Sequence, residues 1–484
     1  MGEKSAKIFF LQPLIVVRFT LMLLALKPVP TKMRLLPLVA ATFFMVSGGP
    51  YGIEDILGGA GYGLALLILL VLPFLWSLPT ALMIGELASS IPAEGGFYIW
   101  VRRALGPFWG YQESWLSLSA SIFDMALYPA IFVLYLGKLR PALTAGWYGY
   151  AFMLAVVLLC CCWNLLGAPE VGDDSVRMFV VLLAPFAGFM AFALWRGFTS
   201  HPGIEWGAPQ SAQGGGFGAG SAFSTAVLVA MWNYMGWDNA STVAQEVEDP
   251  QHNYPRAMVA ATALTAVTYT LPIAAMAFAG FKAEGFATGD WVKVASSLGG
   301  PSLAVAIVVG GCITGLGMFN ALVMSYTRLP MAMAEDGMLP EALGRTNRRG
   351  VPWVSVVCCG MAWALALGLP FERLIAIDLI LYGSSLMLEF VALVVLRIRE
   401  PKLTRPFKAG NFVCACLLGV GPAVLIAYAL WVSREVKLWP ESATFGSIPA
   451  LGFAIIVALL GPMLYWLVAA PLARVRSRLA AAAD

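Results

Sequence analysis

Several carboxylates interrupt long apolar stretches of this chain, among them Asp124, Asp238, Asp378 and Glu389. A carboxylate in hydrocarbon is costly, so each is a candidate for holding a cation or carrying a proton, set against the plainer role of locking helices together. Ser114, Ser117, Ser121, Asp124 and Tyr128 are spaced three, four, three and four apart. Asp378, Tyr382, Ser385 and Glu389 follow at four, three and four. Both spacings keep the polar groups on one helical face, which must then look into protein. Glu54 and Asp55 are left open between attracting cations and capping a helix.

Two apolar runs are broken by residues that do not sustain a helix. The first carries SGGPYG at 47–52, with three glycines and Pro50; the second carries WNYMGWDN at 232–239, with Gly236 at its centre. Glycine is a poor helix former and proline removes a donor. Paired breaks at corresponding positions mark a transporter's binding site. Amides freed at Gly48, Gly49 and Gly52 suit a carboxylate, and carbonyls freed around Gly236 suit an ammonium group. The residues expected to meet solute are therefore Ser47, Gly48, Gly49, Tyr51, Gly52, Trp232, Asn233, Gly236, Trp237 and Asp238. Trp232 and Trp237 would stack on a cationic or apolar part of it. Proton coupling is expected of Asp124, Asp238, Asp378 and Glu389.

The elements that position these residues follow from composition. Hydrophobic residues make up 60% of the 484 and charged residues 12%, against roughly a quarter charged in a soluble domain. The apolar residues form runs of bilayer length, so the solvent is lipid. Twelve spans are expected, at 35–57, 62–84, 115–136, 147–167, 178–195, 222–247, 258–281, 302–326, 351–369, 374–396, 411–433 and 445–472. Alternate loops divide Lys and Arg unequally. One side holds Lys138, Arg140, Arg196, Lys282, Lys293, Arg373, Arg434 and Lys437, eight in all, and the other holds eighteen, counted from Lys32 onward. The richer side is expected to be cytoplasmic and to carry the C-terminal tail, 473–484. Within the N-terminal extension, 1–34, the segment Ile8 to Leu26 is apolar around Arg18. It is expected to be an extra span, a surface helix or sequence upstream of a start at Met33, and not a cleaved leader.

Other chemistry finds no footing. The net charge of +3 is small and scattered, without the basic stripe of a nucleic-acid binder. Eight cysteines lie in apolar runs without C-x-x-C spacing, and His201 and His252 are far apart in loops, so neither a metal site nor a cofactor is implied. No G-x-S-x-G or H-E-x-x-H motif points to an enzyme.

Three loop stretches carry a family resemblance: GELASSIPAEGGFYIWVRRALGPFWG at 85–110, QEVEDPQHNYPRA at 245–257 and AEDGMLPEALGRTNRRGVP at 334–352. In this order they resemble signatures of the amino acid/polyamine/organocation (APC) superfamily of permeases. SGGPYGIED, DMALYP and LEFVALVVLRIREPKLTRPFK look most like the plant polyamine-uptake, L-type amino acid transporter-like and related microbial branch. The resemblance implies an all-α integral membrane protein with 12 transmembrane helices. Its LeuT-like 5+5 inverted repeat would be made of 35–195 and 222–398, with helices 1 and 6 broken and two extra spans in 411–472. It further implies that Ser47 to Gly49 meet the solute's main-chain groups, that Trp232 covers it, and that Asp238 senses charge. The chain departs from the pattern at Asn320, where plant polyamine carriers carry an acid, and in span 5, where Arg177 is the one basic candidate for a coupling lysine.

The expected function is secondary active uptake of an amino acid by alternating access in the plasma or inner membrane, driven by protons rather than sodium. The alternatives are a polyamine:proton symporter, an amine exchanger, and a sensor that binds without transporting. Partners are a small amine or amino acid, the proton and the bilayer; the oligomeric state is left open.

Overall fold

Backbone amides find no water in hydrocarbon, so a chain of this composition must pair them within helices or a closed barrel. The computed structural model, which describes residues 32–204, 206, 221–437 and 448–483, is helical throughout, with isolated bridges and no strand among those residues. The apolar segment Ile8 to Leu26 lies outside the described residues, as does most of the Gly- and Ser-rich loop after span 5.

Among the described residues nine helices are long and apolar enough to cross a bilayer, and Leu35–Val46 and Trp353–Ala364 are shorter apolar helices. Where glycine or proline interrupts a run, the helix path changes. Span 1 is Leu35–Val46, a non-helical stretch at 47–53, and a second half-helix from Glu54. That half-helix continues into span 2 across Gly61, whose φ of 71° and ψ of 174° turn the chain. Span 6 is Ala222–Asn233, a non-helical turn at 234–236, and then the 3₁₀ turns Trp237–Thr242 and Ala244–Glu246. Span 5 is longer than expected, Ala168–Ser200. Its first turns carry Glu170, Asp173, Asp174 and Arg177 and so escape a reading based on apolar runs.

Span 8 packs against spans 3 and 5, and span 10 against span 3. Close approach of spans 3 and 8 requires Gly315, where a Cβ would stand 2.5 Å from the Tyr128 carbonyl. Leu67, Phe74, Val181, Phe192, Leu271 and Met361 are exposed at the rim, where lipid supplies the apolar contact that a soluble fold would need from its core.

Candidate substrate site

Non-helical backbone at this depth must find partners in protein. At the first break the Gly49 amide donates to Ser47 Oγ at 3.0 Å and the Gly52 amide to Glu54 Oε2 at 2.6 Å. Thr314 Oγ1 donates to the Gly48 carbonyl at 2.8 Å, and Trp291 Nε1 to the Pro50 carbonyl at 2.7 Å. Two of the three amides read as open to a solute carboxylate are thus taken by the chain's own side chains. Glu54 also accepts from the Gly289 amide at 3.0 Å and from the Tyr135 hydroxyl. Asp55 accepts from the Thr288 amide at 3.0 Å and its hydroxyl at 2.7 Å. Both acids therefore fasten the second half-helix to the loop before Trp291.

The two breaks touch. Gly236 has φ of 93°, which favours glycine. A Cβ there would also stand 2.6 Å from the Met45 carbonyl. Asn233 Nδ2 donates to the Gly52 carbonyl at 3.2 Å, and the Tyr269 hydroxyl to the Asn233 carbonyl at 2.7 Å. Ser47 Oγ, which accepts from the Gly49 amide, lies near the Tyr269 hydroxyl.

Beside the breaks stand three acids. Asp124 Oδ1 accepts from the Tyr128 hydroxyl at 2.6 Å and Trp232 Nε1 at 3.2 Å, and the Tyr128 and Trp232 rings stack at 6.2 Å. The Tyr382 hydroxyl donates to Asp238 Oδ1 at 2.5 Å and accepts from the Gly236 amide at 2.9 Å. Neither oxygen of Asp378 has a hydrogen-bond partner among the described residues. All three lie within electrostatic reach of the Tyr326 hydroxyl. Asp124 is 3% exposed, Asp238 1% and Asp378 0%, so water is excluded in this conformation. Among the described residues no Lys, Arg or His forms an ion pair with any of them. Carboxylates walled by tyrosine and tryptophan form a cage suited to ammonium groups.

Other expected residues stand apart from this cage. The Tyr51 hydroxyl donates to the Ile307 carbonyl at 2.8 Å, with its ring among Tyr135 and Phe186. Trp237 Nε1 donates to the Tyr234 carbonyl at 2.7 Å and braces the second break. Arg177 is exposed and pairs with Asp174 at 2.6 Å, and Asn320 Oδ1 accepts from Asn164 at 2.7 Å. Glu389 lies at the other end of its stripe, near Glu113. Sequence reasoning missed Tyr326, because nothing local marks a tyrosine near the end of span 8 as facing acids from three other segments.

A polar network also lies on the Arg-rich side. Buried Arg328 donates to Glu246 Oε1 from Nε at 3.0 Å and from a terminal nitrogen at 2.8 Å, with Glu94 at 3.8 Å. The Met33 amide donates to the Glu246 carbonyl at 2.8 Å, and the Glu248 amide to the Met33 carbonyl at 2.9 Å, tying the entry of span 1 to the exit of span 6. A cavity of about 530 Å³ borders this network, lined in part by Lys32, Glu170, Glu335, Arg348 and Arg349. Burial, then the charge of Glu246, pushes the Glu94 carboxyl from 4.5 up to about 8. A carboxyl raised by folding binds a proton in the fold, so stability falls as pH rises between those two values and levels above them. Glu94→Gln, neutral at every pH, is expected to melt higher than wild type in detergent at pH 8 and level with it near pH 5. A gap of equal size at both pH values would refute this.

The chain matches the family model described as "Amino acid permease" over residues 39–470. It is 34% identical over 404 residues to a probable polyamine transporter of Arabidopsis thaliana, covering 83% of this chain and 79% of that one. It is 32% identical over 423 residues to the polyamine transporter PUT1 of Oryza sativa subsp. japonica, covering 84% and 75%. A serine/threonine exchanger of Bacillus subtilis is 27% identical over 293 residues, 58% of this chain and 63% of the exchanger. Broken helices, a buried polar site between them and a family match over nearly the whole bundle agree: the chain belongs to the amino acid permease family of integral membrane transporters.

Proposed function

We propose that this carrier takes up a diamine or polyamine together with protons. The observation that carries the reading is the trio Asp124, Asp238 and Asp378, buried beside aromatic rings with no paired cation among the described residues. Burying unpaired carboxylates is expensive, and a solute with several ammonium groups offsets that cost. The amide-rich end of the broken first span, which would receive an amino acid's carboxylate, already holds Glu54 at Gly52. The names of the plant relatives point the same way. The preference for amino acids drawn from the sequence thereby gives way to its polyamine alternative. Amino acid exchange remains the second reading, favoured by the name of the bacterial relative.

The architecture behind this proposal is a twelve-span bundle in which 35–195 and 222–398 repeat with opposite orientation and 411–472 add two spans. The matching breaks in spans 1 and 6 support it, as do the long third and fifth elements of each unit. The site is assigned to both breaks together with Trp232 and the three acids, with the C-terminal tail cytoplasmic. Uptake into proteoliposomes under imposed pH or sodium gradients tests the reading. Putrescine is expected to accumulate with the pH gradient alone and to be displaced by spermidine but not by serine. Accumulation of serine, unaffected by excess putrescine, would reverse the assignment, and binding without flux would make the protein a sensor.

A further inference from the structure

Span 3 runs Pro107–Leu139, longer at both ends than its apolar run, and Glu113, buried in its first turns, belongs to no part of the cage. It accepts from Ser117 Oγ at 3.0 Å and from Ser114 Oγ at 3.3 Å. The Ser117 hydroxyl also lies 3.1 Å from Ser385 Oγ in span 10. That contact sets an antiparallel register between the two helices. Four residues before Ser117 is Glu113, and four after Ser385 is Glu389; seven after Ser117 is Asp124, and seven before Ser385 is Asp378. The register therefore sets Glu113 opposite Glu389 and Asp124 opposite Asp378. At 1.5 Å rise per residue the two acid levels are roughly 16 Å apart along the helices.

Glu389 is 0% exposed, and neither of its oxygens has a hydrogen-bond partner among the described residues. The charges that reach it are Asp238 and Glu113. Tyr382, bonded to Asp238, also lies within the field of Glu389. From the neighbouring elements the titratable groups are Tyr98, near Glu113, and Arg397, which is already held by Glu86 and the Gly410 and Asn411 carbonyls. Two carboxylates sharing a dry site cannot both carry charge. Such a pair stores one proton.

We propose that Glu113 and Glu389 form a second, proton-only station that passes the coupling proton between the substrate cage and the Arg-rich side of the protein. The idea rests on the proton-coupled reading above. The step moves one proton. The O–H bond of protonated Asp238 breaks, Tyr382 takes that proton and releases its own, and an O–H bond forms on Glu389 once its side chain, which no hydrogen bond holds among the described residues, has turned toward Tyr382. Asp238 is left as a carboxylate for the next ammonium group, and Ser117 and Ser385 keep Glu113 and Glu389 in register. The Ser117 to Ser385 contact closes the interval between the two acid levels, which favours a proton over an amine as the traveller.

Reconstituted vesicles loaded with a pH dye decide the matter. Putrescine counterflow at equal pH reports binding and alternation, while pH-driven accumulation and putrescine-evoked acidification report proton movement. Glu113→Gln and Glu389→Gln are expected to keep counterflow within about threefold and to lose accumulation and acidification by about tenfold or more, as removal of an intramembrane proton carrier should. Asp124→Asn, a cage variant, should lose all three signals. The pair is refuted if the Gln variants accumulate putrescine as wild type does, or if their counterflow falls in step with accumulation. Should they fail to fold, Ser117→Ala decides: slowed acidification with normal counterflow supports the station, and unchanged acidification overturns it. Wild type that accumulates putrescine without acidification would instead overturn the coupling reading itself, and the station with it.

Discussion

Asp124→Asn is expected to reduce putrescine uptake about 100-fold, close to 3 kcal/mol, the scale of removing one member of a buried charged contact. The substitution preserves shape, and the remaining oxygen can still accept from Tyr128 and Trp232, so the protein should reach the membrane and melt as wild type does. Loss of charge is then separated from loss of fold. Asp238→Asn should be comparably impaired, with coupling disturbed as well, because Asp238 is the acid hydrogen-bonded through Tyr382 to the second break. Transport and a thermal melt on the same preparations supply the comparison. If both variants carry putrescine at rates within about threefold of wild type, the cage is structural.

Arg328→Met is expected to be the most destabilising single change outside the site. The side chain is fully buried and serves Glu246 directly, with Glu94 beyond it. Removing one partner of a buried ion pair typically costs about 3–5 kcal/mol, because the abandoned charge stays behind. Neutralising that charge in Arg328→Met/Glu246→Gln should recover part of the loss. Melting of the single and double variants in detergent measures both effects. A single variant that melts like wild type, or a double variant that is worse than the single, contradicts this account.

The site was partly legible in the sequence, for identifiable reasons. The breaks at 47–53 and 234–236 announced themselves because glycine and proline act locally. The faces bearing Asp124 and Asp378 were visible because a helix repeats every three to four residues. What stayed hidden depends on partners remote in sequence. Glu54 was open between two roles because its fastening to Tyr135 and Gly289 spans 81 and 235 residues. Glu113 went unnoticed although it stands four residues before Ser117 on a face already recognised, and that spacing was the available signal. The facing of spans 3 and 10 rests on a contact between residues 268 apart, beyond any local periodicity. Arg328 counted in the sequence as one more loop cation, because its burial by Glu246 and Glu94 exists only in three dimensions.

The contact of Gly236 with the Met45 carbonyl has a mechanical meaning. With no side chain between them, and with Asn233 reaching across to Gly52, the interrupted middles of spans 1 and 6 bear on each other like two levers on one pivot. A tilt of either must be felt by the other at once. In the twelve-span architecture proposed above, that contact would keep the arms on either side of the breaks from swinging open together and would resist a leak by leverage, without a separate door at each end.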